Sequence, residues 1–237
     1  MNTKVGIFLI VFFSSLCAQI VPQGTDNAAD SLSTLRLGVV GHVDEAPLFV
    51  AYIKGYYKRE KVNIDLIRLQ TGGEEAAARA GSIDIMLVNY KFIPAISYGL
   101  PVRIISSLFF STKPESRCFF ILLNTATASK KASLKPFFAA TLSGVEWISY
   151  NPNAAAELLI DKKYLKGSAE DISEHITEHT WNISGSDARE NVREYLKTTL
   201  TGNEVPDEVM KRLLYQTKTR LSPYNEACCL VEFERPN

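Results

Sequence analysis

Cysteine is scarce in this chain, with four among 237 residues and no C-x-x-C pair. That excludes a disulfide framework and the paired-cysteine form of a structural zinc site. Histidine is scarcer still, at three. Net charge is also missing: 26 basic residues balance 26 acidic ones, and no long basic block occurs. Nothing therefore draws the chain to nucleic acid, and no nucleic-acid partner is expected. P-loop, dinucleotide and G-x-S-x-G signatures are absent, "LSGVEW" falling short of the last. Those absences remove the commonest nucleotide-binding and serine-hydrolase readings. No internal repeat is found.

What remains is an ordinary globular composition, 46% hydrophobic with a mean hydropathy of −0.02, enough to build a packed core. The opening "MNTKVGIFLIVFFSSLCAQ" has one lysine, a short apolar run and then small residues. This is the outline of a secretory signal, too short to span a bilayer as a mature helix. Residues 1–17 are expected to be the signal peptide and 18–34 a polar, turn-rich linker. Export to a periplasm or cell exterior follows. A lipid anchor at Cys17 is disfavoured by Leu16, where a small residue belongs. Cleavage leaves Cys118, Cys228 and Cys229, an odd number, so at least one thiol is unpaired or intermolecular.

From Leu35 onward short apolar runs alternate with amphipathic segments: "LRLGVV", "APLFVAYIKGYYKREK", "VNIDLIRL", "GEEAAARAG", "IDIMLVN", "FIPAISYG", "VRIISSLFF". The order is strand, helix, strand, helix, strand, helix, strand. It predicts an α/β lobe over residues 35–125 with a mostly parallel sheet. "FFILLN" reads as one more strand. Residues 126–237 read as helices packing on that lobe, with Ser168 and Asp171, and Ser184 and Asp187, at capping spacing and Pro206 near a helix start.

Right-handed crossovers place the strand carboxyl ends and the next helix starts on one rim, where open α/β sheets bind ligands. Three loops fall there. In "GHVDEAP", His42 offers a hydrogen-bonding imidazole and Asp44 a partner for a ligand cation, although an acid here also suits the helix start. Thr71, Gly72 and Gly73 precede a helix whose backbone N–H groups suit a carbonyl or anion, but Thr71 with Glu74 also fits a capping box. Glu74 and Glu75 already neutralise that helix end, which favours a neutral or zwitterionic solute over a free anion. Asn89 and Tyr90 end the third strand and combine an amide with an aromatic face. Asp84, at the entry to that strand, is expected to tie backbone.

The segment "LRLGVVGHVDEAPLFVAYIKGYYKREKVNIDLIRLQTGGEEAAARAGSIDIMLVNYKFIPAISYGLPVRIISSL", and again "FFAATLSGVEWISYNPNAAAELL", resembles the nitrate/sulfonate/taurine-type solute-binding proteins of ABC importers. The shared features are the "AP" that opens a helix ending in "KGYYKRE", the "GG-E" turn, "AGSIDIML" and "YGLPVRII". The resemblance implies a periplasmic-binding-protein-like lobe, a small organic solute (sulfonate, nitrate, taurine or pyrimidine-like), and permease and ATPase partners through which the chain meets the membrane. It also implies a binding role for the His42 loop. The chain departs from the family between "FFILLN" and "SLKPFF", where a second lobe is expected and only "TATASKKA" stands. An accessory or sensor subunit, or a vestigial paralogue without its own ligand, is therefore an alternative. The pyrimidine-synthase branch of the same superfamily lacks its cysteine-rich motif here.

One enzyme signal stands apart. "HITEH", His175 to His179, has the H-x-x-E-H spacing of the inverted zincins, with Glu190 or Glu194 as conceivable third ligands. Ile172, His175, Ile176 and His179 share a helix face, so packing accounts for the imidazoles. A zinc-dependent hydrolase is the lesser alternative, behind incidental metal capture. No enzyme activity, no catalytic residue, no cofactor and no metal is expected.

Overall fold

Residue alternation in "TLRLGV" puts Leu35, Leu37 and Val39 of the first strand, β1 (Thr34–Val39), into the core. The computed structural model describes residues 34–110, 118–123, 130–201 and 205–214. The expected signal peptide, nearly all of the linker, and Cys228 and Cys229 lie outside them. All the described residues belong to one compact unit.

The remaining strands are β2 (Asn63–Arg68), β3 (Ile85–Asn89), β4 (Val102–Phe110), β5 (Cys118–Leu123) and β6 (Thr180–Ser184). Their order across the sheet is β2-β1-β3-β5-β4-β6. β1 pairs in parallel with β2 and β3, while β5 lies antiparallel between β3 and β4 and β6 lies antiparallel on β4. β2, β1, β3 and β4 consequently run in one direction, against β5 and β6. The mixed α/β class with a largely co-directional sheet agrees with the sequence pattern.

Helices cover the sheet: α1 (Ala46–Ile53), α2 (Tyr56–Arg59), α3 (Glu74–Ala80), α4 (Ile93–Ser97), α5 (Leu134–Tyr150), α6 (Pro152–Asp161), α7 (Ala169–Thr177), α8 (Gly185–Leu196) and α9 (Asp207–Leu213). α1 is buried from Ala46 to Ala51, because it is sandwiched between the sheet and α5. That contact needs Gly144. A Cβ there would collide with the carbonyl oxygen of Pro47 and press on Ala51, so the missing side chain sets the separation of the two helices. Phe137 and Phe138 of α5 form an aromatic cluster with Tyr57 and Phe120.

The region after residue 126 is not helical throughout. Thr180–Ser184 forms edge strand β6: Trp181 and Ile183 alternate with polar residues, and Trp181 and Ser184 pair with Phe109 and Ser107 of β4. Ser107 Oγ donates to the carbonyl of Ser184 at 2.9 Å. The caps fall at the expected spacing: Ser168 Oγ accepts from the Asp171 N–H and Ser184 Oγ from the Asp187 N–H, both at 3.0 Å. Pro206 is the cap residue of α9.

Candidate functional site

The co-directional strands end on one rim, and the loop after β1 is built there by a single buried carboxylate. Glu45 is 2% exposed. Its oxygens accept from the backbone N–H groups of Val40 (3.0 Å), Gly41 (2.7 Å) and His42 (3.0 Å). Burial raises the Glu45 pKa, and the three backbone donors offset part of that rise. The loop amides that would face an anion are thus occupied from within. This role separates Glu45 from its neighbour Asp44, which is left to face outward.

A cleft of about 90 Å³ opens beside this loop, lined by Val40, His42, Asp44, Glu45, Glu74, Leu87, Val88, Asn89 and Phe92. Three strand ends meet in it: His42 and Asp44 follow β1, Glu74 starts α3 after β2, and Asn89 closes β3. Polar groups stand around an apolar wall of Leu87, Val88 and Phe92, the usual composition of a small-molecule pocket. Asn89 Oδ1 also accepts from the Lys91 N–H at 3.0 Å, fixing the turn that follows. Sequence spacing marks Glu74 only as a capping and neutralising residue, yet it lines the cleft.

Thr71, Gly72 and Gly73 stand in a turn beside the cleft and are not among its lining residues. The Gly73 N–H donates to the Gln70 carbonyl at 2.8 Å, and Gly72 takes φ +83°, the geometry of a turn that demands glycine at its third position. The cap residue of α3 is Gly73, so Thr71 does not fill the capping role its spacing suggested. Tyr90 packs on Tyr195, ring centroids 5.4 Å apart, outside the cleft lining.

Asp44 has a second set of neighbours that sequence separation conceals. His175 Nε2 lies 2.9 Å from Asp44 Oδ1, and His179 Nε2 lies 3.6 Å from the same oxygen. The two imidazole centroids are 4.6 Å apart. His175 lies in the last turn of α7, and His179 sits just before β6, against Phe109 (4.2 Å) and Trp181 (5.4 Å). β6 is antiparallel to β4, so its first residues pair with the end of β4. That pairing brings the tail of the "HITEH" segment to the ligand rim. Burial alone would raise the Asp44 pKa, but hydrogen bonds from His175 and His179 outweigh it and hold the carboxyl well below its ordinary range. The hydrogen bond to Asp44 raises His175 in turn, against the opposing effect of burial. Asp44, His175 and His179 could hold a metal ion, their ligand atoms all lying within 4.8 Å of one another. Neither Glu178, Glu190 nor Glu194 belongs to this set, so it is not the arrangement that the inverted-zincin spacing suggested. The signal available in the sequence was the i, i+4 histidine pair; the third member was not legible.

Asp84 lies at the opposite end of β3. It accepts from the backbone N–H of Arg36 (2.8 Å) and from its guanidinium (2.6 Å), and pairs with Lys130. It fastens β1 to β3 and to the start of α5 and stays away from the cleft.

No protein-family model matches the chain, and no curated relative does. Solved structures do. A Candida albicans gene product, CA3427, described as having the generic periplasmic binding protein fold, superposes with a TM-score of 0.60 at 15% identity, covering 76% of this chain and 94% of that one. The nitrate-binding protein NrtA from Synechocystis PCC 6803 gives 0.59 at 11% identity, covering 78% and 86%. The alkanesulfonate-binding protein SsuA from Xanthomonas axonopodis pv. citri, bound to MOPS, gives 0.57 at 8% identity, covering 76% and 96%. At these identities the likeness is one of architecture: the chain has a periplasmic-binding-protein-like α/β fold.

Proposed function

We propose that the chain is the extracytoplasmic solute-binding component of an importer, holding a small organic solute in the rim cleft and delivering it to permease and ATPase partners. The observation that carries this reading is the cleft itself. It sits at the carboxyl ends of β1 and β3, where open α/β sheets bind ligands, in a fold shared with nitrate- and alkanesulfonate-binding proteins. Residues that contact the solute are His42, Asp44, Glu74 and Asn89, with Leu87 and Phe92 as the apolar wall. Thr71, Gly72, Gly73 and Tyr90 frame the rim.

The charge of the lining narrows the solute. Glu45 already fills the loop amides, and Asp44 and Glu74 add two further carboxylates. A bare nitrate or sulfate would meet repulsion and would find the amides of the loop after β1 already filled, whereas an ammonium or ring amine would be neutralised. An amine-bearing solute, a taurine-like zwitterion or an aminopyrimidine, fits better than an inorganic anion. No helix among the described residues is long and apolar enough to cross a membrane, and membrane contact is assigned to the permease.

Thermal-shift measurements on the purified chain with taurine, aminopyrimidines, alkanesulfonates and nitrate test the reading. Saturation at 100 times Kd stabilises the native state by about 2.7 kcal/mol. An amine-bearing solute should raise Tm, and Glu74→Gln or Asn89→Ala should abolish the rise. No shift with any of them, or a shift with nitrate alone, defeats the assignment.

A further inference from the structure

We propose that Asp44, His175 and His179 form a three-ligand site for one divalent transition-metal ion of the zinc class. The inference departs from the sequence expectation of no metal and does not depend on whether the cleft takes a solute. Two imidazole nitrogens and a carboxylate converge: both Nε2 atoms address the same oxygen, at 2.9 and 3.6 Å, and the whole donor set lies within 4.8 Å. Zinc bonds nitrogen and oxygen at about 2.0–2.2 Å, which at tetrahedral angles puts ligand atoms roughly 3.3 Å apart. The two nitrogen–oxygen spacings bracket that value, each within a few tenths of an ångström of it, and the two nitrogens lie within 4.8 Å of each other.

The three donors are also held in place by their surroundings. Asp44 rides on the turn that Glu45 locks through three backbone N–H groups. His179 is wedged between Phe109 and Trp181, and Trp181 Nε1 donates to the Ile176 carbonyl at 2.8 Å, tying β6 to the helix that carries His175. Imidazole and carboxylate donors without sulfur select zinc, nickel or copper over magnesium and calcium, which want an all-oxygen shell. Three protein ligands leave a position for water or for a donor atom of a solute in the cleft that Asp44 also lines.

Chelator-stripped full chain titrated with Zn²⁺ against a chromophoric competitor decides the matter, with the Co²⁺ spectrum reporting coordination geometry. One equivalent should bind, with a tetrahedral Co²⁺ signature. His175→Ala and Asp44→Asn should each weaken binding by at least about tenfold, while Glu178→Gln leaves it unchanged. His175 is 38% exposed, so its truncation is compatible with folding, and His179→Gln serves as the second test at the packed position. Because His175 does not line the cleft, loss of zinc in His175→Ala with the solute response retained separates this site from the solute site. Equal zinc affinity in wild type and His175→Ala, loss in Glu178→Gln alone, or no zinc retained against the competitor overturns the proposal.

Discussion

Two buried carboxylates carry much of the local order, and they act in opposite ways. Glu45 meets only backbone, so its removal leaves three N–H groups of the rim loop without their acceptor. Gly41 and His42 are partly open to water, which limits the loss. Glu45→Ala should therefore cost about 2 kcal/mol, read as a lower urea midpoint, and should speed amide exchange at Val40 to His42. An unchanged exchange rate at those amides would remove Glu45 from its organising role. Asp84, with a side chain 3% exposed, instead meets two cations. Burial pushes its pKa up, but the bonds from Arg36 and Lys130 prevail and the value is lowered. For an acid with a depressed folded pKa, the stabilisation is complete above the unfolded value of about 3.9 and is lost as pH falls through the lower folded one. Asp84→Asn should thus be less stable than wild type by about 2 kcal/mol at neutral pH, with the gap closing in acid. A gap that does not narrow as pH falls below about 3.9 would mean the loss is steric rather than ionic.

At the scale of elements, spacing in the chain told most where contacts are local. The alternation in β1 to β4, the caps at Ser168 and Ser184, and the placing of His42, Asp44 and Asn89 at strand ends all follow from short-range pattern. What pattern could not give was pairing across long separations. β5 returns antiparallel between β3 and β4, and nothing in "FFILLN" encodes its neighbours. β6 is only five residues long and is wedged between two helices, so the caps flanking it looked like a continuous helical run. The same blindness hid the meeting of Asp44 with His175, 131 residues apart. Glycine 144 is a related case: "LSGVEW" is notable in sequence only for failing to be a nucleophile elbow, whereas in the fold it sets how closely α5 crosses α1. Alanine would gain up to about 1 kcal/mol of helix propensity but must displace the backbone of Pro47, an overpacking cost of about 1–3 kcal/mol. Gly144→Ala should accordingly lower Tm, and because α1 starts at the rim it should also weaken whatever the cleft binds. Gly72→Ala is the comparison, since nothing lies within 4 Å of its Cβ position and only its positive φ is penalised. If Gly144→Ala proved the milder of the two, close helix crossing would not be what position 144 is for.

Across the whole molecule, the division of the chain into an α/β part and a later helical part does not divide the core. Ile183, Val192, Leu196 and Leu213 are each 2% exposed or less and belong to the same buried cluster as Leu37, Ile104 and Phe109. β6 completes the sheet from the far half of the sequence, and α8 lies against β4. Removing that half would uncover the β4 edge and strip its apolar cover, leaving a flat unpaired strand exposed. The physical expectation is one cooperative unit rather than two. Both tryptophans, Trp147 and Trp181, lie in the later half, so their fluorescence follows that part alone, while far-ultraviolet circular dichroism follows the whole. The two urea transitions should coincide in midpoint and slope. Earlier loss of tryptophan signal would show that α5 to α9 with β6 can detach from the parallel strands. In that case the Asp44–His175 contact, which joins the first loop to the late helix, would be the joint along which they part.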